Sequence, residues 1–445
     1  MKTKQTGLAL RGFLFACILC LVFAPNMAWA QETVKKATVS GQIVDPDGAP
    51  LVSQLLFTSQ ETSLRVNTDP FGRFQVRLPL GEYAVEISKG SLFERKQLSL
   101  SISDRKQIFL DNIALSRLYD TDWLVGDLHQ HTIYSFDGSN SPYEVYLSDR
   151  SVGLDFGVVT DHNDVRADDE FIFGNDGFVG LPGIEITTDR GHFNAINFAL
   201  LIDPDTSHAE ADIRRIIECV RQDPDALLQI NHPDRNEGGF GFKDWSLADD
   251  FDLMEVWNGK SAPPYVDGSP NRAAMAHWIE MIQNGAYLPA TGGSDNHDIS
   301  GNLMFMRDVA QTDAERFFNQ SMFSGAPRTY VRAQTRTPAG ILAALKRGNS
   351  FVTNNPLAFL TVGGAIPGET VQPGTQTASI RLESNRPLTA YRLRVNGADA
   401  PWIEVSGFVA EAAYPLHLDD GDFVFLEVCG AQGDYAFTNP VFAAE

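Results

Sequence analysis

Histidine and carboxylate residues recur together in five short segments of this chain, each after an apolar run that is typical of a strand. Six of the nine histidines lie in these segments. In chain order the segments contain His129 with His131, Asp161 with His162, Glu185 with His192, His232, and Asp295 with His297. Mixed imidazole and carboxylate ligands suit Zn, Mn or Fe in proteins. The pattern therefore predicts a multinuclear metal centre.

The spacing within the segments indicates how the side chains could converge. His129 and His131 are two residues apart at a strand end, so both side chains leave the strand on the same face. Asp295 and His297 have the same spacing. Glu185 offers two carboxylate oxygens and can bridge two ions. A single histidine is more often structural than a ligand, so the prediction depends on the joint pattern.

Strand and helix patterns alternate between residues 116 and 355. The strand candidates are Trp123–Leu128, Phe156–Thr160, Val179–Ile186, Ala195–Leu201, Leu227–Asn231, Leu253–Trp257 and Leu288–Thr291. The helix candidates are Ser141–Ser151, Ala209–Gln222, Asn271–Asn284 and a helix capped by Thr337-Pro338 and ended by Gly348. Such alternation predicts an α/β arrangement with parallel strands, and about seven repeats predict a barrel with its functional residues at the C-terminal strand ends.

The two flanking stretches and the N-terminus have other textures. Residues 31–115 and 356–445 show short alternating strands and predict two β-rich modules around the region 116–355. Residues 1–30 have a basic start, an apolar run and a small-residue cleavage site at Ala28-Trp-Ala30, which predicts a signal peptide. We therefore expect export to a periplasm or the cell exterior, with no stable membrane span after cleavage.

The charge of the chain limits its partners. Its net charge is −22, and a protein this acidic is a poor partner for nucleic acid, which rewards clustered Lys and Arg. A small molecule is the expected substrate. The oligomeric state stays open.

The ordered motifs carry a family resemblance over roughly residues 120–356. The series His-x-His, Thr-Asp-His, Gly-x-Glu, Asn-His-Pro and Ser-Asp-x-His is similar to the polymerase and histidinol phosphatase (PHP) superfamily of metal-dependent phosphoesterases. Within that superfamily, Glu255-Val-Trp-Asn258 and Gly293-Ser-Asp-Asn-His297 resemble the CehA/McbA-like metallohydrolase branch. Residues 31–115, with Asp47-Gly48 and Leu78-Pro-Leu-Gly81, resemble a carboxypeptidase regulatory-like β-sandwich.

The resemblance implies a distorted (β/α)7 PHP-type barrel, flanked by N-terminal and C-terminal β-sandwich modules, with two or three divalent ions. Carried over residue by residue, it implies three sets of ligands. The first ion would take His129, His131, Glu185 and Asp295; the second would share Glu185 and add His192 and His232; the third would take His162, His297 and Asp137.

The reaction expected of such a centre is hydrolysis by a hydroxide formed from metal-bound water. A small phosphorylated substrate fits it best; a carboxylester or carbamate substrate, or a non-catalytic metal-stabilised binding protein, are the alternatives. The catalytic candidates are Asp161, His297 and Arg235. Asp161 is expected to orient ligands or the water, and Arg235 or Lys260 to meet the charge of a phosphate or to be surface charges. Glu255 is either a carboxylate near the site or a capping group.

Overall fold

The computed structural model describes residues 35–60, 63–103, 107–171, 177–202, 209–236, 239–299 and 323–445. The predicted signal peptide lies outside these residues. Five α-helices occur in the described ranges, and none of them has the length and apolar character needed to cross a bilayer. They are α1 (Pro142–Ser151), α2 (Asp168–Phe171), α3 (Glu210–Val220), α4 (Pro270–Gln283) and α5 (Pro338–Arg347).

The N-terminal strands form two four-stranded sheets around one apolar core. One sheet has the order β4–β1–β7 with β8 paired to β1, and the other has the order β3–β2–β5–β6. The strands are β1 (Lys36–Val44), β2 (Gln54–Thr58), β3 (Ser63–Asn67), β4 (Arg73–Pro79), β5 (Gly81–Ser88), β6 (Lys96–Ile102), β7 (Gln107–Phe109) and β8 (Ile113–Ala114). Every second residue of β4 is buried, namely Phe74, Val76 and Leu78, because side chains alternate between the faces of a strand.

The central strands carry the sequence segments that hold histidine. They are β9 (Leu124–Asp127), β10 (Phe156–Val158), β11 (Val179–Leu181), β12 (Gly183–Thr188), β13 (Gly191–Ile196), β14 (Leu227–Ile230), β15 (Leu253–Asn258), β16 (Ala290–Gly293), β17 (Arg328–Val331) and β18 (Ser350–Thr353). Strands β9, β10 and β11 are parallel, as are β14, β15 and β16. Isolated bridges join the two groups of strands at Gln130–Asn296 and His162–Glu185. These bridges bring the strand ends to one rim.

The region is β-rich and has fewer helices than the expected (β/α)7 barrel, and the described residues do not show a complete barrel of that kind. Strand β13 runs antiparallel to both β12 and β14. Only Asp189 and Arg190 separate β12 from β13, and Gly191 has a φ of 107°, so a tight hairpin replaces a crossover helix. The predicted single strand Val179–Ile186 is two strands, β11 and β12.

Helix α5 confirms the capping pattern read from the sequence. The side chain of Thr337 accepts a hydrogen bond from the backbone N–H of Gly340 at 3.2 Å, and Pro338 occupies the first turn. Gly348 ends the helix with a φ of 73°, a conformation that favours glycine. The helix buries Ile341, Leu342 and Leu345 on one side.

The C-terminal strands extend the sheet that contains β9. Strand β18 pairs with β26, so the sheet continues from β9 through β17 and β18 into β26, β25, β22 and β23. A second sheet has the order β19–β21–β24. The strands are β19 (Leu357–Val362), β20 (Thr370–Val371), β21 (Gly374–Glu383), β22 (Leu388–Val395), β23 (Ile403–Glu404), β24 (Val409–Leu418), β25 (Phe423–Gly430), β26 (Tyr435–Thr438) and β27 (Val441–Ala443). Buried Phe351 of β18 contacts Trp123, just before β9, with ring centroids 5.3 Å apart. The C-terminal strands therefore support the strand that presents His129.

Candidate metal centre

Each histidine segment places its side chains at the rim because its strand ends there. His129 and His131 follow β9, His162 follows β10, and His232 follows β14. Glu185 lies in β12 and His192 in β13, and Thr187 of β12 pairs with His192 in the antiparallel register. Asp295 and His297 follow β16. Contacts across the rim, as the distances below show, unite residues that are up to 166 positions apart in the sequence, as His129 and Asp295 are.

Glu185 is the carboxylate on which the imidazoles converge. It is fully buried. Its Oε2 lies 2.8 Å from Nδ1 of His162 and 3.5 Å from Nε2 of His131. Its Oε1 lies near three further ring nitrogens: Nδ1 of His192 at 3.1 Å, Nε2 of His232 at 3.3 Å and Nε2 of His129 at 3.4 Å. Both oxygens therefore face separate sets of imidazoles, as a bridging carboxylate requires.

Asp295 is a second carboxylate at the rim. Its Oδ1 lies 3.1 Å from Nε2 of His131, 3.5 Å from Nδ1 of His297 and 3.6 Å from Nε2 of His129. Asp137 is more exposed and faces the other side of His297, with Oδ2 3.2 Å from Nε2 of that ring. Its Oδ1 lies 3.7 Å from Nε2 of His162.

Four groups of three residues offer ligand atoms that lie within 4.8 Å of one another. They are His129–His131–Asp295, His129–Glu185–His232, His162–Glu185–His192 and His131–His162–His297. Every metal ligand expected from the sequence is in one of these groups except Asp137, which borders the last. His192 and His232, which the resemblance places on the same ion, fall in different groups.

Buried nitrogen and oxygen atoms without partners test whether the residues fit a metal. Among the described residues, Nε2 of His129, Nε2 of His131 and Oε2 of Glu185 are buried and make no hydrogen bond. Buried polar atoms are rarely left in this state. All three point into the group of imidazoles and carboxylates, so the donor set fits divalent cations.

Hydrogen bonds on the far side of the rings set which nitrogen faces the centre. Ser135 Oγ donates to Asp161 Oδ1 at 2.8 Å, so it must accept from Nδ1–H of His131 at 2.9 Å. Nδ1 of His129 lies 3.1 Å from Oε1 of Glu255, a carboxylate that can only accept. In both rings the proton is thus on Nδ1, and Nε2 is free to bind a cation.

Neighbouring charged groups shift the pKa values of the carboxylates and imidazoles at the centre. Burial alone would raise the pKa of Glu185, but His162, His129 and His192 hold it well below its ordinary value. Burial would likewise raise the pKa of Asp295, and Lys260 and His129 hold it well below. Burial and the neighbouring imidazoles hold the pKa of His131 well below its ordinary value. The carboxylates are therefore ionised, and the ring of His131 is neutral, as ligands must be.

The backbone is strained at three places on this rim. Asn163, His232 and Asp295 have φ values of 51°, 27° and 51°, although none of them is glycine. Such conformations cost about 1–3 kcal/mol each and persist where the surrounding structure enforces them. At His232 the enforcing contact is a hydrogen bond from its backbone N–H to Oε2 of Glu255 at 2.8 Å.

The three catalytic candidates take different positions. Asp161 accepts from the backbone N–H and hydroxyl of Thr132, both at 2.6 Å, and from Ser135; it shapes the loop after β9 and reaches His131 through Ser135. His297 is at the rim, with Nδ1 donating to the backbone carbonyl of Asp295 at 2.9 Å. Arg235 is on its edge, 4.0 Å from Oδ2 of Asp295.

Two residues are closer to the centre than the sequence indicated. Lys260 Nζ lies 3.1 Å from Nε2 of His297 and 3.4 Å from Oδ1 of Asp295. Glu255, for which the sequence left two roles open, lies directly behind His129 and is fully buried. The sequence offered one signal for both residues. Glu255 is a charged residue within β15, a strand whose residues are all buried, and Lys260 follows the end of that strand.

The chain matches no family model and no curated protein. Among solved structures, it is similar to a two-domain protein from Bacteroides vulgatus that contains a predicted PHP-like metal-dependent phosphoesterase, with 17% identity, a TM-score of 0.39, and coverage of 69% of this chain and 92% of that one. A proposed metal-dependent phosphoesterase from Bifidobacterium adolescentis has 18% identity, a TM-score of 0.27, and coverage of 39% and 87%. TM-scores this low do not establish a shared fold, so the function must come from the site itself.

Proposed function

We propose that this chain is a metal-dependent hydrolase of the PHP superfamily that acts on a small phosphorylated substrate. The observation that carries the proposal is the position of Glu185, with imidazole nitrogens of five histidines within 3.5 Å of its two oxygens. Two of those nitrogens and one of those oxygens are buried without a hydrogen bond among the described residues. Such an arrangement would cost stability unless cations occupy it.

The residues that would hold the ions follow from the four groups at the rim. Glu185 belongs to two groups and has two oxygens, so it would bridge neighbouring ions, whereas His129 has one free ring nitrogen and would bind one ion. The identity of the ions is proposed only as Zn, Mn or Fe, two or three in number, because mixed nitrogen and oxygen ligands suit all three metals. When bound, such ions acidify water to a nucleophile near neutral pH and polarise a phosphoryl oxygen.

Basic side chains near the centre favour a phosphoester over a neutral ester. Lys260, which is 17% exposed at its side chain, faces Asp295 and His297. Arg235 approaches Asp295 from another direction and is 27% exposed. Both side chains are accessible enough to meet the negative oxygens of a substrate phosphate. Positive charge at this position stabilises the negative charge that develops on the phosphoryl group during the reaction. A carboxylester or carbamate leaves less negative charge for these residues to meet.

Three further residues, Glu255, Asp161 and Ser135, hold the candidate ligands in place. Glu255 orients His129 and the backbone of His232, and Asp161 with Ser135 orients His131. In this proposal Asp161 is a positioning residue, and His297 and Arg235 lie where substrate would meet the rim.

Several finer assignments belong to the same proposal. Membership of the CehA/McbA-like branch, and the barrel of PHP type, are supported by the sequence motifs at Glu255–Asn258 and Gly293–His297. The carboxypeptidase regulatory-like assignment is supported by the two four-stranded sheets before β9. Export to a periplasm or the cell exterior rests on the sequence of residues 1–30.

The test compares His131→Ala with His417→Ala. His131 is buried at the rim, whereas the side chain of His417 is 68% exposed on β24. Elemental analysis of each protein purified without added metal should show loss of metal in His131→Ala alone. Hydrolysis of p-nitrophenyl phosphate with Mn or Zn should fall with it, by about 100-fold or more if the ligand is essential.

The outcomes separate the alternatives. Turnover of a p-nitrophenyl carboxylester without turnover of the phosphate would replace the substrate class and keep the metal centre. Tight metal with no turnover of either would favour a non-catalytic binding protein. Loss of metal from His131→Ala with hydrolysis intact would show that the catalytic site lies elsewhere.

A further inference from the structure

A second concentration of charge lies in a cavity of about 180 Å³ between the N-terminal sheet β3–β2–β5–β6, the segment before β17 and the C-terminal strands. None of its lining residues belongs to the metal centre. The residues that matter here are four arginines and two carboxylates: Arg65, Arg95, Arg328, Arg386, Glu86 and Asp434. These described lining residues therefore carry a net charge of +2, in a chain whose total is −22.

Two of the arginines are compensated by carboxylates. Arg95 contacts Oε1 of Glu86 at 2.6 Å through Nη1. Arg386 donates from Nε to Oδ2 of Asp434 at 2.8 Å, and Asp434 is buried. These pairs tie the N-terminal and C-terminal strands to the walls of the cavity.

The other two arginines form no ion pair with a carboxylate among the residues that the structure describes. Arg328 donates to the backbone carbonyls of Gly325 at 2.6 Å and Val152 at 2.8 Å. Arg65 donates to the Gln54 side chain and lies 3.4 Å over the centre of the Phe323 ring. The Nε of Arg65 is buried and has no hydrogen-bond partner in the described chain.

The surplus positive charge is costly without an anion. Burying a charge carries a large desolvation cost unless a partner of opposite sign is present. Burial, together with the charge of Arg95, lowers the pKa of Arg65 to about 9. Burial and the charge of Arg386 also lower the pKa of Arg95. The guanidinium groups therefore repel one another across the cavity, and a bound anion would relieve that repulsion.

We propose that this cavity is a binding site for a small dianionic oxyanion of the phosphate class, in which Arg65 and Arg328 supply the uncompensated positive charge and Arg95 and Arg386 line the same cavity. Two negative charges match the surplus of two positive ones. The planar guanidinium fork suits tetrahedral phosphate oxygens. A cavity of about 180 Å³ holds such an anion with several waters, since a cavity of roughly 10–15 Å³ suffices for one water.

The cavity lies next to the metal centre but is separate from it. Ser324 lines the cavity and accepts hydrogen bonds from Nε2 of Gln130 at 3.1 Å and Nδ2 of Asn296 at 3.3 Å. Gln130 lies between His129 and His131 in the sequence, and Asn296 between Asp295 and His297. Phosphate could also bind at the metal centre itself, so the experiment must distinguish the two places.

The experiment titrates the full-length protein with inorganic phosphate by calorimetry, at ionic strength held constant with chloride. Arg65→Gln is the cavity variant, since glutamine keeps a polar side chain beside Gln54 and loses the charge. His129→Ala is the metal-centre variant. At the cavity, phosphate should bind the His129→Ala variant as tightly as it binds the wild type. Phosphate should bind the cavity of the Arg65→Gln variant about 10-fold or more weakly, as loss of one charge-assisted contact predicts.

Unchanged phosphate affinity in Arg65→Gln, or phosphate binding that His129→Ala abolishes entirely, would overturn the proposal. A measurement on the wild-type protein covers the case in which Arg65→Gln does not fold. Phenylglyoxal modifies arginine, and peptide mapping then reports the rate at Arg65. Phosphate should slow that modification several-fold relative to chloride at the same ionic strength, and equal rates would overturn the proposal.

Discussion

Oε1 of Glu255 lies 3.1 Å from Nδ1 of His129, and both side chains are fully buried. Oε2 of the same carboxylate accepts from the backbone N–H of His232 at 2.8 Å and from Nδ2 of Asn258 at 3.0 Å. Glu255 thus fixes the ring of one candidate ligand and the strained backbone of another. A carboxylate behind a metal-binding histidine also makes the ring a stronger ligand.

Glu255→Gln should weaken metal binding by about 10–100-fold. Glu255 accepts from three donors, whereas glutamine has one acceptor oxygen and an NH2 group that would face at least one of those donors. Competition with a chelator measures the affinity. Glu280→Gln is the matched control, because Glu280 is exposed on α4. Equal affinities in both variants would contradict a positioning role for Glu255.

Ser135→Ala should weaken metal binding and also destabilise the fold. The hydroxyl accepts from Nδ1–H of His131 at 2.9 Å and from the backbone N–H of His162 at 3.0 Å, and it donates to Asp161. Alanine leaves these buried groups without their partner, at a cost of about 1–3 kcal/mol. Urea unfolding and metal titration measure the two effects. Ser99→Ala on the exposed face of β6 should change neither, and a Ser135→Ala protein that matched it would refute the expectation.

Lys260→Gln should reduce kcat/KM for p-nitrophenyl phosphate by about 10–100-fold. Its ammonium lies 3.4 Å from Oδ1 of Asp295 and 3.1 Å from Nε2 of His297, whereas the guanidinium of Arg235 is 4.0 Å from Asp295. Loss of a positive charge removes an interaction with phosphoryl oxygens. Lys346→Gln, a change at a 58% exposed lysine of α5, is the control. A loss of the same size with an uncharged ester substrate would assign Lys260 a structural role.

Local sequence signals predicted four of the five described α-helices, all except α2, and several strands. Helix α4, expected at Asn271–Asn284, spans Pro270–Gln283, and β14, expected at Leu227–Asn231, spans Leu227–Ile230. Their signals are local: a proline at the first turn, apolar periodicity and a capping residue. The hairpin between β12 and β13 was not predicted, because a buried strand before a loop looks the same whichever direction the next strand runs.

The candidate ligands could also be identified from the sequence, because ligand types cluster next to strand ends. The supporting contacts could not. Glu255 reaches His129 across 126 positions, and Lys260 reaches His297 across 37. Such contacts depend on how strands pair, and no local pattern specifies them. Strand pairing also explains why His192 and His232, which the resemblance places on one ion, fall in different groups of ligand atoms. These two histidines are placed by an antiparallel strand pair that the expected parallel barrel lacks.

Asp168 should make the stability of the protein depend on pH. It is the first residue of α2 and is buried, and its Oδ1 accepts from the backbone N–H of Gly183 at 3.1 Å. Its Oδ2 makes no hydrogen bond within the described chain. Burial raises the pKa of Asp168 to about 8 in the folded protein. In the unfolded chain the pKa is about 3.9.

Between about pH 4 and pH 8 the folded protein therefore retains a proton that the unfolded chain has released. Stability contributed by this group falls as pH rises through that interval, by at most roughly 1.4 kcal/mol per pH unit, and levels off above it. Asp168→Asn removes the ionisation and keeps an oxygen for Gly183. The variant should match the wild type at about pH 3.5, below the pKa of the unfolded chain, and exceed its stability at pH 8.5.

Urea unfolding at the two pH values measures this difference. Asp169→Asn changes the exposed neighbour on the same helix turn and serves as the control, since it removes an equal charge without the burial. The comparison uses the difference between variant and wild type, so that other titrating groups cancel. If Asp168→Asn gained no stability at pH 8.5 beyond that of Asp169→Asn, the pKa of Asp168 would be the same in the folded and the unfolded protein, and burial would not control its protonation.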